Sequence, residues 1–153
     1  EDRSNIWAGF EPTDTMIHLG LDIQVKAGTQ VASLTNGTIL DILEDSAKFN
    51  GWGTKIIVET NLLTAKTAKK YYILYGHLYK PNVKIGQEIK QGELLGLVAP
   101  SEFNGGWFEH LHLQVMDESL NVPIREVDGY EFKKNSITGV INPFEFYNML
   151  YSK

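Results

Sequence analysis

Turn residues cut the first 116 residues into short apolar runs at close spacing, which leaves little room for helices and favours an all-β fold. Candidate strands are Leu21 to Val25, Gln30 to Leu34, Thr38 to Glu44, Lys55 to Thr60, Tyr71 to His77, Leu94 to Val98 and His110 to Met116. Turn signals fall between them at Asn36-Gly37, Asn50-Gly51-Trp52-Gly53, Asn82, Gly86, Gly92 and Asn104-Gly105-Gly106. From Val83 to Gly96 apolar residues and glycines alternate every third position, a period of neither helix nor plain strand. Short strands turning sharply at the corner of a sandwich or barrel would produce it. The tail from Asp117 is polar and irregular as far as Asn142. There Asn142 can cap a helix, Pro143 suits its first position, and Phe146, Met149 and Leu150 form an apolar stripe. The expected fold is therefore mainly β, a curved antiparallel sheet of the barrel-sandwich kind with one short C-terminal helix.

A length of 153 residues fits a single domain with a real core. Hydrophobic residues make up 42% and charged residues 22%, ordinary values for a globular protein. No apolar run approaches a membrane span, so no span is expected in this chain. The net charge of -5 gives no basic footprint, which argues against nucleic acid or an acidic membrane surface as partner. The absence of cysteine removes disulfides, thiolate ligands and a cysteine nucleophile, so any metal must use histidine and carboxylate. The chain begins with Glu1 and shows no signal-peptide pattern, so an upstream segment is expected to have been processed away or left out.

Four histidines occur, in three contexts: Ile17-His18-Leu-Gly-Leu-Asp22, Tyr75-Gly76-His77-Leu78 and Glu109-His110-Leu111-His112-Leu113. A lone histidine beside strand-like sequence is ordinarily a satisfied core or surface residue. His110 and His112 stand two apart, which in a strand puts both imidazoles on one face, roughly 6.5 Å apart at Cα, while Leu111 and Leu113 enter the core. Such a pair can place one nitrogen on a metal and the other just beyond it. Glu109 would point to the opposite face and is read as structural. His18 and Asp22 would lie about 13 Å apart in a straight strand, too far to share an ion, so a bend is required and Gly20 permits it. Alone, Asp22 would more readily be read as a turn cap. Two histidines and one carboxylate are a known catalytic zinc set that leaves a fourth position for water. Attack on an amide would then need oxyanion donors and a proton for the leaving amine, which His77 and the fourth histidine can supply.

Together His18-x-x-x-Asp22, Gly76-His77-Leu78 and His110-Leu111-His112 resemble the lysostaphin and LytM-type metallopeptidases, over roughly residues 16 to 116. Glycine-rich segments match as well, including Lys26 to Ala32, Gly51-Trp-Gly53 and Val83 through Gly96. The resemblance implies one zinc ion per chain, held by His18, Asp22 and His112, with His77 and His110 as non-ligand catalytic histidines. It also implies a groove on a curved sheet and a peptide substrate, for many members in bacterial cell-wall peptidoglycan, and hence an extracytoplasmic location. Family members often carry Thr-Gly-x-Ser-Thr-Gly-Pro before His-Leu-His, where this chain has Phe103-Asn-Gly-Gly-Trp107-Phe-Glu109. The Asn-Gly-Gly-Trp form resembles a divergent branch, some members of which are joined to kinase-like and aminotransferase-like domains. An arginine often found before the first motif is replaced by Met16-Ile17, and Glu109 adds negative charge near the site. Trp107 and Phe108 can line a peptide groove or serve as packing anchors.

Other classes fit less of the chain. Ile17 to Asp22 also resembles the active-histidine segment of glucose-permease phosphocarrier domains, but no second histidine lies upstream and three histidines stay unexplained. A lipoyl- or biotinyl-type carrier would account for the Val83 to Gly96 pattern, yet Lys90 is a poor match to a modified lysine. A non-catalytic LytM-like module, binding cell-wall peptide or regulating a partner amidase, is the stronger rival. Such modules typically lack zinc ligands that this chain retains.

Overall fold

The computed structural model describes residues 17–45, 47–63, 67–131 and 137–151. Met16, the first half of the Met16-Ile17 replacement, lies outside them. Strands β1 (Ile17–His18), β2 (Leu21–Ile23), β3 (Gln30–Ala32), β4 (Gly37–Asp45), β5 (Gly53–Leu63) and β6 (Ala68–Tyr79) come first. They are followed by β7 (Glu88–Ile89), β8 (Leu94–Val98), β9 (Leu111–Asp117), β10 (Tyr130–Glu131), β11 (Val140–Ile141) and the helix α1 (Pro143–Tyr151). All strand pairings are antiparallel. The main sheet runs β11-β9-β6-β5-β4-β7, with β2 also beside β9, β8 also beside β6, and β3 beside β8; β1 and β10 form a separate ribbon. The sheet does not close into a barrel.

Every expected strand is present, Leu94 to Val98 with the expected bounds and the other six with one or both ends shifted, and β7 with the start of β8 forms the short turning strands expected between Val83 and Gly96. The two-residue strands β1, β10 and β11 carry too few residues to show a period. Register shifts between Ile39 and Asp41 and between Thr54 and Ile56 mark bulges, the usual means of bending a long hairpin.

The sheet is covered on both faces, which explains why β6 reads as a nearly unbroken apolar run instead of a clean alternation. Tyr71, Ile73 and Tyr75 face one core with Ile56, Val58, Leu113, Val115 and Phe146. Leu74 and Met116 face a second core with Ile57 and Val127, packed by Val122, Ile124 and Val140. The tail, expected to be polar and irregular up to Asn142, thus has a structural duty. Its apolar residues cover the second face, and it supplies the partner strand of β1. The helix starts as expected, with Asn142 Oδ1 accepting from the Phe144 amide at 2.9 Å and its carbonyl from Phe146 at 3.0 Å.

Candidate metal centre

Strand pairing brings the first and last histidine motifs together. On β9 the side chains of His112, Gln114 and Met116 share one face, opposite to Leu113 and Val115 in the first core. Strand β2 lies along β9 with Asp22 opposite His112, and β6 lies on the other edge with Gly76 opposite His112. Between β1 and β2 the chain leaves one sheet and joins another, and this change of partner makes the bend that His18 and Asp22 require.

Gly20 sits at that bend for a reason of space. A Cβ there would lie 2.6 Å from His112 Nε2 and 2.7 Å from the Leu113 carbonyl oxygen. On Gly129 a Cβ would lie 3.2 Å from His112 Cε1 and 3.0 Å from the Trp52 ring. The imidazole of His112 is therefore held between two glycine backbones, with the Trp52 ring edge-on to it at 5.2 Å between centroids.

The donor atoms of His18, Asp22 and His112 form an equilateral triangle. His18 Nε2, His112 Nδ1 and Asp22 Oδ1 are each 3.1 Å from the other two. A tetrahedral zinc with bonds of 2.0–2.1 Å would separate its ligand atoms by about 3.3–3.4 Å, so the triangle is close to one face of such a tetrahedron. Burial opposes ionisation of Asp22, yet hydrogen bonding and charge interaction with His112 and His18 outweigh it and hold the carboxyl well below the usual carboxylate range. An ionised carboxylate and two ring nitrogens within contact distance are the donor set that a divalent cation of zinc's type accepts.

His110 and His77 stand beside the triangle. The Phe108 carbonyl can only accept, so His110 Nδ1–H donates to it at 2.7 Å and leaves Nε2 as the lone-pair nitrogen, 3.6 Å from Asp22 Oδ1. Burial lowers the His110 pKa despite the opposing pull of that carbonyl and of Asp22. The His77 ring lies 4.4 Å from that of His110 and stacks on Trp52 at 5.4 Å. Burial first, then the His110 and His112 rings, push His77 down to about 3, so both imidazoles are neutral at neutral pH.

Strict alternation would send His77 into the first core with Tyr75. Its φ of 60° instead turns the chain, at a cost of roughly 1–2 kcal/mol for a side chain with a Cβ. The turn occurs where β6 leaves β9 for β8: Gly76 pairs with His112, and Leu78 with Val98. His77 Nδ1 is buried with no hydrogen-bond partner.

The Asn104-Gly105-Gly106-Trp107 loop is knitted to the Asn50-Gly51 turn. Asn50 N donates to the Gly105 carbonyl at 3.0 Å and Trp107 Nε1 to that of Gly51 at 3.1 Å. Fully buried Asn104 accepts from the Trp107 amide at 2.9 Å. Trp107 packs near His77 and stacks on Tyr130, with centroids 6.1 and 6.5 Å away. It is thus a packing anchor beside the site, whereas Phe108 remains 46% exposed. Glu109, read as structural, accepts from the Ala27 amide at 2.9 Å.

The sequence profile described as peptidase family M23 matches residues 16–124. The chain belongs to that family. An uncharacterized metalloprotease of Buchnera aphidicola subsp. Baizongia pistaciae is 33% identical over 98 residues, 64% of this chain and 23% of that protein. The glycyl-glycine endopeptidase ALE-1 of Staphylococcus capitis is 30% identical over 105 residues, 68% of this chain and 26% of that protein. This M23 chain spans about a quarter of the length of these two relatives. The catalytic domain of the antimicrobial peptidase lysostaphin from Staphylococcus simulans superposes with a TM-score of 0.59 at 22% identity. It covers 86% of this chain and 80% of that one, which shows a shared fold.

Residues beyond the M23 profile also build the site, and the histidine pattern did not reveal them. Tyr130 pairs with His18 across the β1–β10 ribbon, their rings 5.0 Å apart, and the Leu19 amide donates to the Gly129 carbonyl at 2.8 Å. Nothing in the local sequence near 128–131 signals this. Gln114 did leave a signal, because it shares strand parity with His110 and His112.

Proposed function

We propose that this chain is a zinc-dependent endopeptidase domain that hydrolyses peptide bonds in bacterial cell-wall peptidoglycan. His18, Asp22 and His112 would hold the ion through Nε2, Oδ1 and Nδ1. Bound there, zinc supplies Lewis acidity, lowering the pKa of a water to about 7 and polarising a carbonyl. His110 Nε2, with its lone pair beside the triangle, takes the proton from the attacking water and returns it to the leaving amine. His77 is assigned to the charge that develops on the carbonyl oxygen. Family membership and the metalloprotease and endopeptidase names of the relatives support this reading. Its strongest single support is the equilateral 3.1 Å donor triangle. Work on peptidoglycan implies an extracytoplasmic location, and no helix among the described residues is long and apolar enough to cross a membrane.

The rival reading, a non-catalytic module that binds wall peptide or a partner amidase, predicts a different result in one experiment. The protein is loaded with zinc, its metal content measured, and purified peptidoglycan digested with and without chelator, with mass spectrometry of the new termini. The expected result is one zinc per chain and new peptide termini that vanish with chelator. Absence of metal after zinc incubation, or an intact substrate with metal bound, would overturn the peptidase reading.

A further inference from the structure

The triangle requires that His112 present a bare Nδ1, and the surroundings of its other nitrogen bear on whether it does. His112 Nε2 lies 3.0 Å from Gln114 Oε1, and Gln114 Nε2 donates to the Asp128 carbonyl at 3.3 Å. A main-chain carbonyl can only accept, so the Asp128 oxygen fixes which end of the Gln114 amide faces it. The amide oxygen is thereby turned to His112, where it too can only accept. Once a cation takes the place of the proton that His112 shares with Asp22, the neutral imidazole keeps its remaining proton on Nε2 and presents the Nδ1 lone pair to the centre of the triangle.

We propose that Gln114, oriented by the Asp128 main-chain carbonyl, is the positioning residue that keeps His112 in its metal-binding form. The proposal rests on the metal reading above and deepens it. Gln114 is fully buried and touches no reacting atom; it acts through the ring of His112. The carbonyl that orients it belongs to a strap, residues 125–131, beyond the M23 profile. That strap is fastened at several points. Buried Lys55 Nζ donates to the carbonyls of Arg125 and Val127 at 3.4 and 3.2 Å, and β10 pairs with β1. The chain segment that pins His18 is therefore the same one that orients the partner of His112. Removing a hydrogen-bond partner of a ligating histidine ordinarily weakens metal binding by roughly 10–100-fold.

The test compares zinc dissociation constants, by chelator competition, for the wild type, Gln114→Met and Gln114→Glu. Gln114→Met keeps the volume but removes the acceptor, and should weaken zinc binding by roughly 10–100-fold. Gln114→Glu keeps an acceptor facing His112 but gives up the donor to the Asp128 carbonyl, and should bind zinc clearly more tightly than Gln114→Met. Equal affinity for Gln114→Met and the wild type would overturn the role of Gln114 while leaving the peptidase reading standing. An equal loss in both variants would do the same. A wild type that binds no zinc would end both. Should Gln114→Met fail to fold, nitrogen-15 NMR of the zinc-loaded wild type decides: a slowly exchanging His112 Nε2–H is expected, and its absence overturns the proposal.

Discussion

His112 and His77 lie in one small cluster of rings, but their nitrogens meet different partners. His112 Nδ1 is a corner of the donor triangle, whereas His77 lies outside it, its Nδ1 buried with no hydrogen-bond partner. His112→Ala should therefore abolish stoichiometric zinc binding, while His77→Ala should keep the metal and lose turnover by at least about a hundredfold. Metal analysis beside a peptide-cleavage assay checks both, and equal metal loss in the two variants would refute the division of roles. His77 also makes a stability prediction. Its folded pKa of about 3 lies below the unfolded value near 6.5, so the unfolded chain takes up the proton first. The contribution of this histidine is complete above about pH 6.5 and is lost as pH falls from there toward the folded value. Urea unfolding of the metal-free protein should show stability falling by up to about 1.4 kcal/mol per pH unit in that window from this group. His77→Ala should flatten the slope by that amount; an unchanged slope would show that His77 is not the buried neutral group.

At the scale of elements, the site depends on close approach of backbones that carry no side chain of their own into it. A methyl on Gly20 would meet the His112 ring and the Leu113 main chain, neither of which can swing away. Gly20→Ala should weaken zinc binding at least about tenfold and cost roughly 1–3 kcal/mol of stability through overpacking. Wild-type affinity in that variant would mean the bend relaxes. Lys55 tests the strap. It is 2% exposed, and burial lowers its pKa against the pull of Asp128, Asp41 and Asp45. Lys55→Met would strip donors from two carbonyls, at about 1–3 kcal/mol. Hydrogen exchange at the Leu19 amide, which donates to Gly129, should speed up if the strap loosens. Unaltered exchange there would separate Lys55 from the metal centre.

Across the whole molecule, the family-matched stretch and the folded unit differ in extent. The M23 profile stops at 124, yet Val127 is fully buried against one sheet face and Phe146 of α1 against the other, 5.1 Å from the Tyr71 ring. Loss of one such aromatic costs about 3–5 kcal/mol, a large share of the roughly 5–15 kcal/mol that holds a domain together. A chain ending at residue 124 should show no cooperative melt by circular dichroism and no stoichiometric zinc. A folded, zinc-binding truncation would make the tail dispensable and would remove the Asp128 carbonyl from any necessary role.

Local sequence determined the strand content, the helix at Asn142 and the residues able to ligate a metal, because short apolar runs, turn residues and caps act over a few neighbours. Strand parity alone placed His110 and His112 on one face. The tertiary structure decided which nitrogen of each ring is bare, since that depends on carbonyls of Phe108 and, through Gln114, of Asp128. It also turned His77 to the site by a left-handed residue where β6 changes partner, which no two-residue period could show. The polar-looking tail became part of the centre for the same reason: contacts between residues about a hundred positions apart in the chain leave no trace in the local pattern of either.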